Sequence, residues 1–137
     1  MPVHHLPPRE CFARLGDDVA YVDVRTQQEF DMGHPEGSMN IPFAFMGPMG
    51  MQPNAAFVAA MTKHFDKGAT IVLGCKSGGR SAIAGEMLAA HGFTGDLINV
   101  LGGFYGGPGP RGPVAGWLEE GLPSSADADG KGWDDLR

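Results

Sequence analysis

The chain is poor in cysteine. Cys11 and Cys75 are the two it has in 137 residues, too few for a disulfide framework and without the paired spacing of a structural zinc site. Reduced thiols, and a fold that needs no covalent staples, follow. Basic residues are few as well: 10 Lys and Arg against 16 Asp and Glu leave a formal net charge of −6, with no cationic cluster. This balance argues against nucleic acid or another polyanion as partner. Long apolar runs are also missing. No segment approaches the length of a membrane span, and the opening "MPVHHLPPRE" has neither a basic n-region nor an apolar h-region. These absences predict a soluble, cytoplasmic protein with no membrane partner, whose ligands are small molecules or proteins. No internal repeat is visible. What is present, 42% hydrophobic and 19% charged residues, suffices for one domain with a genuine core.

Short apolar runs alternate with helical patterns, which predicts an α/β fold with a mainly parallel sheet and helices on both faces. "VHHL" (3–6) suits an edge strand, and Pro7-Pro8 then open a helix whose apolar face is Cys11, Phe12 and Leu15, stopped at Gly16. On that face Cys11 belongs to the core. "AYVDV" (20–24) and "TIVLG" (70–74) have the composition of buried strands, with weaker candidates at "MNIP" and "LINVL" (97–101). "PNAAFVAAMTKHF" sets Phe57, Val58, Met61 and Phe65 at helical spacing behind an Asn54 cap. Residues 101–116 are too rich in Gly and Pro for regular structure, and "PVAGWLEEG" predicts a short helix ended by Gly121 and Pro123. Trp117 is assigned to the core. The domain is placed at 1–123, with 124–137 a loosely held polar tail that Trp133 pins.

The stretch "IVLGCKSGGRSAIAGEMLAAHG" (71–92) carries the chemistry. Its strand ends at Gly74. A helix begins near Arg80, with Ile83, Met87 and Ala90 on one stripe and Gly92 as its stop. Cys75 therefore occupies a strand-to-helix turn at the carboxyl edge of the sheet, where ligands bind in open α/β folds. Small residues at Ser77, Gly78 and Gly79 let backbone N–H groups turn inward as an anion cradle, and the helix N-terminus adds partial positive charge. Both favour a thiolate. A cysteine at a strand end is commonly a small buried hydrophobe, but such a residue needs no glycine-rich turn, no Lys76 beside it and no Arg80 five positions on.

Three separated motifs in order, "YVDVRTQQEFDMGHPEGSMNIPF" (21–43), "CKSGGRSA" (75–82) and a Gly-Gly stretch followed by "GWLEEGLP" (116–123), resemble a single-domain rhodanese, a sulfurtransferase. The resemblance covers about residues 4–123 and implies a rhodanese-like α/β domain around a sheet of about five strands. It also implies that Cys75 carries sulfur and that Cys75–Arg80 form the substrate loop: Lys76, Ser77, Gly78, Gly79 and Arg80. Asp23, Arg25 and Glu29 become scaffold. Cysteine-dependent phosphatases resemble this arrangement but place five residues between Cys and Arg. This chain has four. A tighter ring suits one transferred sulfur atom better than a phosphoryl group, so phosphatase or arsenate-reductase chemistry ranks behind.

The expected mechanism is attack of the Cys75 thiolate on the outer sulfur of thiosulfate or a polysulfide, leaving a persulfide that a thiol or cyanide then discharges. It calls for no cofactor and no metal. Lys76 and Arg80 attract the anionic donor, unless Lys76 is simply solvated and Arg80 pairs with Glu29 or Asp23. His34 in "GHPEG" is expected to support its turn, and His4-His5 lacks a third ligand. The Met-rich "AFMGPMGMQP" (44–53) either fills gaps or forms an adaptable apolar surface that selects the acceptor. A persulfide carrier or regulatory module acting with a thiol protein is the alternative function. Monomer and homodimer both remain open.

Overall fold

The computed structural model describes residues 3–137. From the N-terminus run β1 (Val3–Leu6), α1 (Pro8–Arg14), β2 (Ala20–Asp23), α2 (Gln27–Asp31), β3 (His34–Pro35) and β4 (Met39–Asn40). The hairpin β5 (Ala44–Gly47) and β6 (Gly50–Pro53), α3 (Phe57–His64), β7 (Ile71–Gly74), α4 (Gly79–Ala90) and β8 (Leu97–Val100) follow. A second hairpin, β9 (Gly107–Gly109) and β10 (Gly112–Val114), precedes β11 (Ser124–Ser125) and α5 (Trp133–Leu136).

The central sheet has five strands in the order β1-β8-β7-β2-β4, and every pairing in it is parallel. Parallel strands need crossovers that cover both faces, so their sequences are apolar without alternation. β7 and β8 are buried at every position. Residues of one parity, Val22, Ile71, Leu73 and Leu97, meet Phe57, Met61, Ala84, Leu88 and Trp133 on one face. Tyr21, Val72, Ile98 and Val100 meet Cys11, Phe104 and Trp117 on the other. Because all five strands run one way, the carboxyl ends of β2, β4 and β7 share one edge.

Several sequence expectations are corrected. In α1 Cys11 is fully buried, but Phe12 is 42% exposed. α4 docks through Ser81, Ala84, Gly85 and Leu88, and Ile83 is 56% exposed. The reason is close approach: a Cβ on Gly85 would sit 3.0 Å from Val3, so three small residues and Leu88, rather than the Ile83 stripe, face the sheet. Residues 107–114 are a regular hairpin despite their prolines. In "PVAGWLEEG", Pro113 and Val114 belong to β10 and residues 117–121 form turns rather than a helix, with the Trp117 and Leu118 N–H groups donated to the carbonyls of Gly103 and Phe104. The polar tail is firmly held. β11 pairs with β3, Lys131 accepts the Asn40 N–H, and Trp133 is 5% exposed within the core.

Candidate active site

β7 delivers Cys75 to the shared edge, and the next three residues turn the chain into α4. The turn is possible because Gly78 adopts φ +102°, where a Cβ would lie 3.2 Å from the Val100 carbonyl. In that conformation the Gly78 N–H donates to Cys75 Sγ at 3.1 Å. One turn into α4, Ser81 Oγ lies 3.3 Å from the same sulfur and 2.5 Å from Asn99 Oδ1. One backbone hydrogen thus points at a sulfur beside a helix N-terminus, with the Ser81 hydroxyl, shared with Asn99, in reach of it, a setting that favours negative charge there. Cys75 is 2% exposed, its sulfur held at the base of the loop.

The loop is buttressed from behind by residues 102–104. The N–H groups of Phe104 and Tyr105 donate to the carbonyls of Cys75 and Lys76 at 2.9 and 3.0 Å. Gly103 is pressed so close that a Cβ would be 2.6 Å from the Cys75 carbonyl oxygen. Phe104 carries the Arg25 guanidinium 4.8 Å above its ring, and Arg25 is doubly bonded to Asp23. Burial would lower the Arg25 group, but the bonds and charge of Asp23 outweigh it and raise it. Asp23 and Arg25 are therefore scaffold, as the sequence suggested.

Arg80 holds Glu29 through two bonds of 2.8 and 3.0 Å. Burial pushes the Glu29 carboxyl up, yet Arg80 and the Thr26 cap prevail and hold it down to about 2. The pair ties the first turn of α4 to the first turn of α2, where Glu29 closes a capping box with Thr26. Lys76 is exposed, Ser77 half-buried, and Gly79 opens α4 facing solvent. Ser77 packs against the second hairpin, where a Cβ on Gly107 would meet it at 2.7 Å. The sequence missed Asn99 and the sulfur contact of Ser81. A lone amide within the apolar run "LINV" was the available signal.

Two other expectations fall into place. Cys11 points its thiol at the Leu6 carbonyl, and burial, with Glu10 nearby, pushes it up to about 12. His34 bridges the Phe30 and Asp127 carbonyls at 2.7 and 2.9 Å, a structural role. The cleft of about 590 Å³ beside Tyr105, Gly107, Val114 and Glu119 does not include Cys75.

The match to known proteins agrees with this geometry. A model of the rhodanese-like domain covers residues 8–107. The chain belongs to the rhodanese-like family of sulfurtransferases. This rhodanese-like chain is 38% identical over 106 residues to thiosulfate sulfurtransferase 16, chloroplastic, of Arabidopsis thaliana, covering 77% of the chain and 79% of the relative. It is 35% identical over 103 residues to rhodanese-like domain-containing protein 15, chloroplastic, of the same plant, covering 75% of the chain and half (50%) of that relative. The crystal structure of Rv0390 from M. tuberculosis superposes with a TM-score of 0.73 at 26% identity, over 90% of this chain and 98% of that one. The cytoplasmic expectation is corrected by these names, since both plant relatives are chloroplastic. An opening without an apolar h-region speaks only to secretory leaders.

Proposed function

We propose that the protein moves a sulfane sulfur from thiosulfate, or from a polysulfide or persulfide, to a thiol or cyanide through a persulfide on Cys75. The carrying observation is the Gly78 N–H donating to Sγ at 3.1 Å at the head of α4, with the Ser81 hydroxyl 3.3 Å from the same sulfur. The thiolate attacks the outer sulfur of thiosulfate. A Cys75–S bond forms as the sulfur–sulfur bond of the donor breaks, and the electron pair leaves with sulfite. Three negative charges stand on each side of the step, so no proton or oxidant is needed. An acceptor thiolate then takes the terminal sulfur and restores the Cys75 thiolate. Fixed loop donors stabilise the anion at every stage without reorganising. Lys76 draws the anionic donor in as an exposed point charge, and Ser77 and Gly79 line the loop mouth. Arg80, engaged by Glu29, contributes field and loop geometry rather than a free fork.

The test is intact mass with thiosulfate alone. One sulfur atom added to the protein and to Cys11→Ser, and none to Cys75→Ser, with one equivalent of sulfite released, is the expected result. Loading of Cys75→Ser, or turnover of an aryl phosphate faster than of thiosulfate, refutes the assignment. The β5–β6 hairpin favours a protein thiol as one acceptor. It leaves the same sheet edge as Cys75 and presents Met46 and Met49 at 72% and 92% exposure, an adaptable apolar surface.

A further inference from the structure

The hydrogen bonds around Cys75 do not stop at Ser81. Asn99 Nδ2 lies 3.0 Å from His5 Nδ1, so a continuous chain runs from the buried sulfur through Ser81 and Asn99 to an exposed histidine on the edge strand. Ser81 is fully buried and Asn99 is 2% exposed, so neither is exchanged freely with water. The register is set by the sheet: His5 sits opposite Asn99 in the parallel pair β1–β8, and partners in register project to the same face.

Counting hydrogens along this chain gives two arrangements. Ser81 has one proton and two neighbours, Asn99 Oδ1 and Cys75 Sγ, and serves one at a time. In the arrangement with Asn99 Nδ2 facing His5, the serine donates to Oδ1, Asn99 donates to a bare His5 Nδ1, and Ser81 oxygen is left to accept from a thiol. For a thiolate, Ser81 must donate to sulfur. Asn99 Oδ1 at 2.5 Å would then face an oxygen with no hydrogen between them. Rotation of the amide by half a turn resolves this, with Nδ2 donating to Ser81 and Oδ1 accepting from His5. That second arrangement requires a proton on His5 Nδ1.

We propose that His5 is a positioning residue for the sulfur chemistry of Cys75, acting through the Asn99 amide as a switch. Protonation of His5 makes Nδ1 a donor in every molecule, whereas the neutral ring is one there in only one of its two tautomers; the donor turns Asn99, which frees the Ser81 hydroxyl for the thiolate. Per cycle of the switch the thiol gives one proton to solvent and the imidazole takes one from it, so no other reactant is needed. The inference rests on Cys75 being the reacting thiol. The charged groups on the elements around β1 leave this coupling intact. On α4, Arg80 is bound to Glu29, and Glu86 is exposed. Asp96, just before β8, lies 3.8 Å from His4, on the opposite face by strand alternation. On α1, Arg9 is paired with Glu120, and Glu10 and Arg14 are exposed beside the opposite core face.

The experiment is the rate of Cys75 alkylation by iodoacetamide against pH in the full chain. The set is the wild type, His5→Ala, Ser81→Ala, the double variant and His4→Ala. His5→Ala should slow alkylation about ten-fold near pH 6, the worth of one charge-assisted hydrogen bond. It should leave the rate unchanged near pH 10, where free thiols are ionised. His4→Ala should match the wild type. In the Ser81→Ala background, removal of His5 should change nothing. A His5→Ala profile that superimposes on the wild type overturns the proposal, and so does an equal His5 effect with Ser81 absent. Alkylation needs no sulfur donor. Failure of thiosulfate to load Cys75 would therefore refute the proposed function and leave this coupling standing.

Discussion

Glu29→Gln removes one charge from the ion pair that joins the first turns of α2 and α4 while keeping the side chain's shape and its bond to Thr26. A carboxyl lowered from 4.5 to about 2 corresponds to roughly 3 kcal/mol at about 1.4 kcal/mol per tenfold change in affinity for the proton. The two side chains are 23% and 31% exposed, and screening by water reduces that figure to about 1–2 kcal/mol. For a domain of this size the loss is about 3–8 °C in Tm. The sign follows from linkage. A carboxyl depressed in the folded state contributes fully above its unfolded value, and the contribution disappears as pH falls from about 4.5 toward about 2. Urea unfolding of wild type and variant should thus differ most at neutral pH and converge as the acid limit is approached. An equal difference throughout that range would mean that the variant disturbs packing rather than charge. No difference at neutral pH would mean that Arg80 is not restrained by Glu29.

Gly78→Ala forces a Cβ onto a residue at φ +102° and 3.2 Å from a carbonyl; it should cost about 1–3 kcal/mol and, by displacing the N–H from sulfur, slow Cys75 alkylation at neutral pH. Cys11, with its thiol pushed up to about 12, should resist iodoacetamide in the native protein and react once denaturant is added, as peptide mapping will show. Trp133→Ala should cost about 3–5 kcal/mol and open residues 124–137 to protease, whereas an unchanged digestion pattern would mean that the strand pair β3–β11 holds the tail alone.

The loop was legible because each of its residues has a local reason: an apolar strand to place Cys75, glycines to turn, a helix to follow. The parallel sheet was legible from the unalternating runs at 71–74 and 97–100. The contacts that finish the site were not, because they are long-range. Asn99 reaches Ser81 across 18 positions and His5 across 94, and only the strand order brings them together. The docking face of α4 misled for a related reason, since periodicity finds bulky stripes while a helix that must approach a sheet closely turns Ser81, Ala84 and Gly85 inward beside Leu88. The segment at 116–121 has helical composition, but Trp117 and Leu118 are tied through their N–H groups to the backbone of 103 and 104, a pairing that no local pattern reveals.

β1 has a consequence for how the molecule is made. Val3 pairs with Leu97, so in the central sheet the first strand has no partner until β8 exists. Contacts of such separation close slowly, and until they do the apolar run Leu97–Val100 is an open sheet edge. An edge of that kind recruits strands from other molecules. Once seated, β1 ends the risk, because a four-residue strand bearing two histidines and followed by Pro7 and Pro8 is a poor template for further addition. During refolding, aggregation should therefore be governed by the lifetime of the species that still lacks β1.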